Sequence, residues 1–196
     1  MPRIEPLTRD QFEQGQSAEE LRYIEERVGE PLNTMYLLAH VPGLLEALGE
    51  LVRAVHAPGH APADLKWLVG HVASRSAGCM YCSAHSTFFG EKIAGVDVDK
   101  IEQVWEFETS ELFSDAERAA LRIAAAAGRT PNETTDEMLE ELHEHFDDRA
   151  IAELIAAIAL YGFMNRWNDT LQPALEPGPL QFGRDHLQHS GWNPPA

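Results

Sequence analysis

The chain contains two cysteines, and both fall in "AGCMYCSAHSTFFGEKIAG": Cys79 and Cys82, with His85 three residues further on. A helix beginning close to Cys79 sets Cys79, Cys82 and His85 along one face at i, i+3 spacing. A thiol at a helix N-terminus meets free N–H groups and the positive end of the dipole, which favour thiolate. By that criterion alone Cys79 is the more acidic of the two. A neutral His85 can accept a proton from Cys82 one turn away, and a charged one stabilises its thiolate. This is the chemistry of a dithiol that cycles through a disulfide. The same spacing serves zinc, with Cys79, Cys82 and His85 as three ligands and His71 or His60 as a conceivable fourth. No second knuckle accompanies them, and the nearby histidines are scattered. Inert core cysteines are the third reading.

Helices are the elements that must position these groups. "PGLLEALGELVRAVHAPG" carries Leu44, Leu45, Leu48, Leu51, Val52 and Val55 at helical period and breaks at Pro58-Gly59. "APADLKWLVGHVASRSAG" supplies a second stripe, and the cysteine helix follows with Phe88, Phe89 and Ile93 expected on its buried side and Gly95 as its stop. "SAEELRYIEERVG" and "SDAERAALRIAAAAGRTP" open with capping-box spacing at Ser17/Glu20 and Ser114/Glu117. "TTDEMLEELHEHFDD" reads as a short amphipathic helix capped by Thr134 or Thr135. "DRAIAELIAAIALYGFMNRWNDTL" is apolar around most of its circumference and reads as a buried central helix. No period-2 strand is visible, so the fold class is all-α. Residues 1–30 read as an N-terminal segment and helix, 31–171 as one helical domain, and 172–196 as an irregular tail wrapping the surface.

Composition narrows the function. The 196 residues carry 32 acidic against 15 basic side chains, a net charge of −17. Such a surface repels phosphate backbones, so nucleic-acid and anionic-membrane roles are set aside. No 18-residue apolar run exists, and "MPRIEPLTRDQFEQGQSAEE" lacks the basic-then-apolar order of a secretory signal. A reducing cytoplasm is therefore expected, where a CxxC pair is redox-active or metal-binding rather than a structural disulfide.

Residues 64–95, "DLKWLVGHVASRSAGCMYCSAHSTFFGEKIAG", resemble the core of the alkylhydroperoxidase AhpD-like proteins, within the carboxymuconolactone decarboxylase superfamily. "HVPGLLEALGELVRAV" upstream, and "ERAALRIAAAA" and "LIAAIALYGFMNRWNDTL" downstream, resemble its flanking helices, so the likeness runs over roughly residues 32 to 171. It implies an all-helical antiparallel bundle that assembles as a homo-trimer or hexamer. It also implies a thiol peroxidase that needs no cofactor, reduces an organic hydroperoxide, and is recharged by a lipoyl or thioredoxin-like dithiol. Carried over, Cys82 is the peroxidatic thiol, Cys79 the resolving thiol and His85 part of the proton relay, the reverse of the order that the helix dipole suggests. Trp67, beside Lys66, stands where the family places a Glu twelve residues before the first cysteine. His71, one turn on, is the candidate replacement base. Tyr81 stands where some peroxidatic members have His, and Cys82 to His85 is the shorter spacing variant.

Two other readings stay open: the lactone decarboxylase of the superfamily, whose members generally lack CxxC, and a non-enzymatic redox sensor or zinc-stabilised assembly module. In "NRWND" the Arg166/Asp169 spacing suggests a structural pair, with a role in lining the active site as the alternative. His143 and His145 read as surface, and His186 and His189 as at most a weak metal pair. Phe88, Phe89, Trp105 and Phe107 read as core or subunit contacts.

Overall fold

The computed structural model describes residues 2–15 and 18–194. Its α-helices, in chain order, are α1 (Arg9–Glu13), α2 (Ala18–Val28), α3 (Asn33–Leu38), α4 (Leu44–Val55), α5 (Ala63–Ser76), α6 (Met80–Ala94), α7 (Val98–Gln103), α8 (Asp115–Ala127), α9 (Asp136–His145), α10 (Asp148–Leu171) and α11 (Pro177–His186). No strand occurs among the described residues, and the all-α expectation holds. No helix among them is long and apolar enough to cross a membrane.

Helix α5 is the centre. Every residue from Leu65 to Ser74 is buried, and the helix packs against α6, α8 and α10. Gly70 permits the closest of these approaches: a Cβ there would lie 2.2 Å from the Tyr161 ring of α10. The Lys66 ammonium is buried but satisfied, donating to the Ala57 carbonyl at 2.9 Å and pairing with Glu153 at 3.1 Å.

The turn from α5 to α6 sets the cysteines. Gly78 has φ +85°, a left-handed conformation that other residues adopt only with strain. Its N–H bonds the Arg75 carbonyl and the Cys79 N–H bonds that of Ser74, the paired bonds of a Schellman motif. The chain thus leaves α5 and enters α6 within three residues, with Cys79 as the N-cap of α6.

Several boundaries refine the sequence reading. Thr135, not Thr134, caps α9, and Ser114/Glu117 form the expected capping box. The Ser17 cap lies outside the described residues. Phe88 and Phe89 are buried, whereas Ile93 is 45% exposed. The tail expected to be irregular over 172–196 contains α11, which starts with Pro177 at its first turn, where the missing N–H costs nothing. Trp192 is fully buried, donates from Nε1 to the Met80 carbonyl at 2.9 Å, and packs against Gly183. The Arg75 guanidinium meets the Ser190 carbonyl at 2.7 Å. This segment is therefore fastened to both ends of the α5–α6 turn.

Candidate active site

Cys79 and Cys82 are free thiols, both buried at the start of α6. As N-cap, Cys79 accepts a weak hydrogen bond from the Cys82 N–H at 3.4 Å. Hydrogen bonding to Cys82, then burial, then the charge of Cys82 push the Cys79 thiol up, so that ionisation of one sulfur opposes ionisation of the other. Cys82 has a donor of its own: Asn168 of α10 directs Nδ2 at Sγ from 3.2 Å, while its Oδ1 accepts from the Thr34 hydroxyl at 2.7 Å. That second bond holds the amide against the Cys82 end of α6.

One turn beyond, His85 uses both ring nitrogens. Nδ1 lies 2.9 Å from the Tyr81 carbonyl, which can only accept, so Nδ1 carries a proton. Nε2 lies 2.6 Å from Oε2 of Glu176, a carboxylate 2% exposed. The other oxygen, Oε1, accepts from the Tyr81 hydroxyl at 2.9 Å and from the Asn33 N–H. Burial alone would raise the pKa of Glu176. The charge and hydrogen bond of His85, with the Asn33 N–H, outweigh it and hold the carboxyl below its usual range. Burial and the neighbouring Glu176 charge keep Tyr81 a neutral phenol.

These groups face a pocket of about 320 Å³ between α2, α4, α6 and α10. Cys82, Tyr81, His85 and Asn168 form its polar side, and Leu45, Leu48, Met35, Leu160 and Met164 its aliphatic one. Trp67 adds an aromatic wall, stacked on His56 at 3.9 Å between ring centroids and 14° between planes. Burial, with the nearby Lys66 charge, lowers the His56 pKa to about 4, so this histidine is neutral. Ile93 lies at the same pocket, which accounts for its position on α6 without burial in the core. A largely apolar cavity with one thiol in its wall, and with Glu20, Arg27 and Arg53 on its α2 and α4 side, suits an apolar organic molecule that reacts at that thiol.

Known proteins carry the same fold. Over 90% of this chain and 94% of its own, the debrominase Bmp8 is 33% identical, with a TM-score of 0.82. A Cys-to-Ala variant of Bmp8 in complex with 2,3,4-tribromopyrrole is 30% identical over 94% of this chain and 99% of its own, with a TM-score of 0.85. A peroxidase-related protein with an alkylhydroperoxidase AhpD core, from Ralstonia eutropha JMP134, superposes with a TM-score of 0.80 at 19% identity, over 93% of this chain and 96% of its own. The chain belongs to the same family as Bmp8 and has the AhpD-like fold. It also matches the uncharacterized protein YnjA of Escherichia coli (strain K12), 41% identical over 73 residues, which span 37% of this chain and 40% of YnjA. No family model matches.

Within this AhpD-like frame the expected site residues separate. Cys79, Cys82 and His85 come together at the start of α6, as their spacing predicts. His71 does not join them at the pocket. It is fully buried against the other side of α6, with Nδ1 donating to the Ser83 carbonyl at 3.1 Å, and burial lowers its pKa to about 3. Arg166 and Asp169 do not pair as their spacing suggested: Arg166 donates to Thr130 at 3.0 Å, and Asp169 lies toward Cys79, with burial raising its pKa. Among the described residues, no three His, Cys, Asp or Glu side chains are grouped to hold a metal. His186 pairs with Glu102 at 2.8 Å, and His189 bonds the Glu102 backbone at 2.7 Å.

Sequence reasoning missed two residues of the site. Asn168 was quoted within "NRWND", but only its contact with Cys82 separates it from its polar neighbours. Glu176 sits in "LEPGPL", where Pro177 marks a helix start and nothing local points inward.

Proposed function

We propose that the protein is a dithiol oxidoreductase that reduces an apolar organic hydroperoxide by two electrons. The observation that carries this reading is the asymmetry of the thiols: Cys82 lines the apolar pocket and takes the Asn168 hydrogen bond, while Cys79, the N-cap of α6, lies beside it outside the pocket lining. The Cys82 thiolate attacks the terminal peroxide oxygen and the O–O bond breaks. The alkoxide takes a proton and leaves as alcohol, and Cys82 becomes a sulfenic acid. Cys79 then attacks that sulfur. Its proton and the sulfenic hydroxyl depart as water, and the Cys79–Cys82 disulfide forms. An external dithiol, lipoyl or thioredoxin-like, takes up the disulfide and is itself oxidised. Asn168 stabilises the attacking thiolate, and the aromatic wall holds the organic group.

A second reading is reductive dehalogenation, favoured by the likeness to the debrominase Bmp8 over nearly the whole chain. Two thiols and an organic halide yield the hydrocarbon, hydrogen halide and the same disulfide, so the site balances either reaction. The acid-rich surface suits a donor with a basic docking face. Exposed Ala152, Ile155, Ala159, Gly162 and Phe163 along α10 support assembly as a homo-oligomer, for which a trimer or hexamer is the expected form.

A single-turnover titration tests the proposal. Fully reduced protein receives one equivalent of cumene hydroperoxide or, separately, of a bromopyrrole, and free thiols, mass and product are followed. Rapid loss of both thiols with cumyl alcohol supports the peroxidase, and release of bromide supports the dehalogenase. Thiols that outlast both reagents no faster than free cysteine refute the two together.

A further inference from the structure

Nε2 of His85 and Oε2 of Glu176 lie 2.6 Å apart, an ion-pair contact, and the rest of their surroundings favour one protonation state. Nδ1 of His85 is already committed as a donor to the Tyr81 carbonyl at 2.9 Å. Both other neighbours of Glu176, the Tyr81 hydroxyl and the Asn33 N–H, donate to its Oε1. A neutral pair, with the carboxyl donating to Nε2, would also fill these bonds, but two donors on Oε1 favour the charged carboxylate and hence the imidazolium facing it. The Tyr81 ring, stacked on His85 with centroids 4.1 Å apart, adds a π-face against the cation.

We propose that Glu176 is a positioning residue that holds His85 as an imidazolium on the Cys82 face of α6, so that a fixed positive charge sustains the Cys82 thiolate. His85 then is not a free base waiting for the Cys82 proton. Its own proton is bound between two side chains from distant parts of the chain. The carboxylate is delivered by the C-terminal segment: Glu176 caps α11, and that helix is anchored by the Gly178 N–H to Glu30 at 3.1 Å and by Phe182 packing on Phe88. Removing the carboxylate should raise the pH at which Cys82 becomes reactive.

This inference rests on Cys82 as the reactive thiol of the dithiol reading, but its readouts need no turnover, so the two can fail separately. The rate of iodoacetamide alkylation of Cys82 is measured against pH in C79S and in C79S/E176Q protein, with circular dichroism as a check on folding. Glu176→Gln keeps the size and an acceptor for Asn33 and Tyr81 while removing the charge. The expected result is a titration midpoint about one unit higher, roughly a tenfold loss of rate below it. In an H85N background the same substitution should have no further effect. An unchanged midpoint, or an equal shift without His85, overturns the proposal. Should E176Q fail to fold, the ¹⁵N shifts of the His85 ring in the unaltered reduced protein decide. Two protonated nitrogens at pH 7 support the proposal, and a neutral tautomer overturns it.

Discussion

Asn168 donates a hydrogen bond to the Cys82 sulfur at 3.2 Å across 86 positions of sequence, and Thr34 fixes the amide that makes it. Hydrogen bonds to charged groups contribute about 1.5–3 kcal/mol, a factor of roughly 10 to 100 in an equilibrium between thiol and thiolate. Asn168→Asp preserves the shape and the Thr34 bond while presenting an oxygen, and a charge, to the sulfur. Its Cys82 should alkylate at least ~10-fold more slowly at pH 7. Thr34→Val, which frees the amide to rotate, should act in the same direction but less. Alkylation rates with Cys79→Ser in each background measure both. Equal rates in N168D and its parent would remove Asn168 from the site.

Trp67 builds the aromatic wall opposite the sulfur, stacked on His56 at 3.9 Å. In the AhpD-like resemblance this position belongs to a carboxylate, and here α5 gives it to the pocket wall while a carboxylate arrives from the C-terminal segment. Trp67→Leu keeps the core apolar but removes the flat face. We expect the KM for cumene hydroperoxide to rise by about an order of magnitude, with the rate toward hydrogen peroxide little altered, since a small polar oxidant gains nothing from the wall. Parallel losses for both oxidants would point instead to a disturbed Cys82.

How far the sequence discloses this site follows from the range of the interactions involved. The all-α class and the α5–α6 turn are local properties of apolar period, Gly78 and a cysteine at the N-cap, and these are legible residue by residue. Cys79, Cys82 and His85 sit on one helical face because helical geometry puts them there. Asn168 and Glu176 meet Cys82 and His85 from α10 and from the α11 cap, 86 and 91 residues away by number. No local pattern encodes such a contact. The dipole argument for Cys79 is local in the same way: it counts the end of the helix and omits the neighbouring sulfur and the burial that oppose it.

Phe163 and Ile155 are 42% and 36% exposed on the outer face of α10, the helix whose sequence is apolar almost all round. A large apolar face left toward solvent on a buried-type helix suits contact with a second copy of the chain. Light scattering after gel filtration should give a homo-oligomer for the unaltered protein and a monomer, or a weaker assembly, for Phe163→Glu combined with Ile155→Asp. The stability of the isolated chain should change little, because both side chains already meet solvent. A monomer before substitution would discard the interface.

Two buried histidines set the response to acid. Burial lowers the pKa of His71 from the ordinary 6.5 to about 3 and that of His56 to about 4. Below pH 6.5 the unfolded chain therefore takes up protons that the folded chain refuses, and stability must fall as pH falls. The contribution is fully present above pH 6.5, and each histidine costs up to about 1.4 kcal/mol per pH unit lost below it. His56 stops contributing near pH 4 and His71 near pH 3. Glu153, held down to about 2 by the Ala61 N–H and by Lys66, adds its own loss only below the ordinary carboxylate value of 4.5. The slope between pH 6.5 and 5.5 thus reports mainly the histidines, before the carboxylates begin to titrate. Urea unfolding of the reduced protein at pH 7.5, 6.0 and 5.5 should show the decline, and His71→Gln, able to keep the bond to the Ser83 carbonyl, should flatten it by up to one proton's worth. An identical slope in that variant would mean that His71 accepts a proton inside the fold, contrary to its burial.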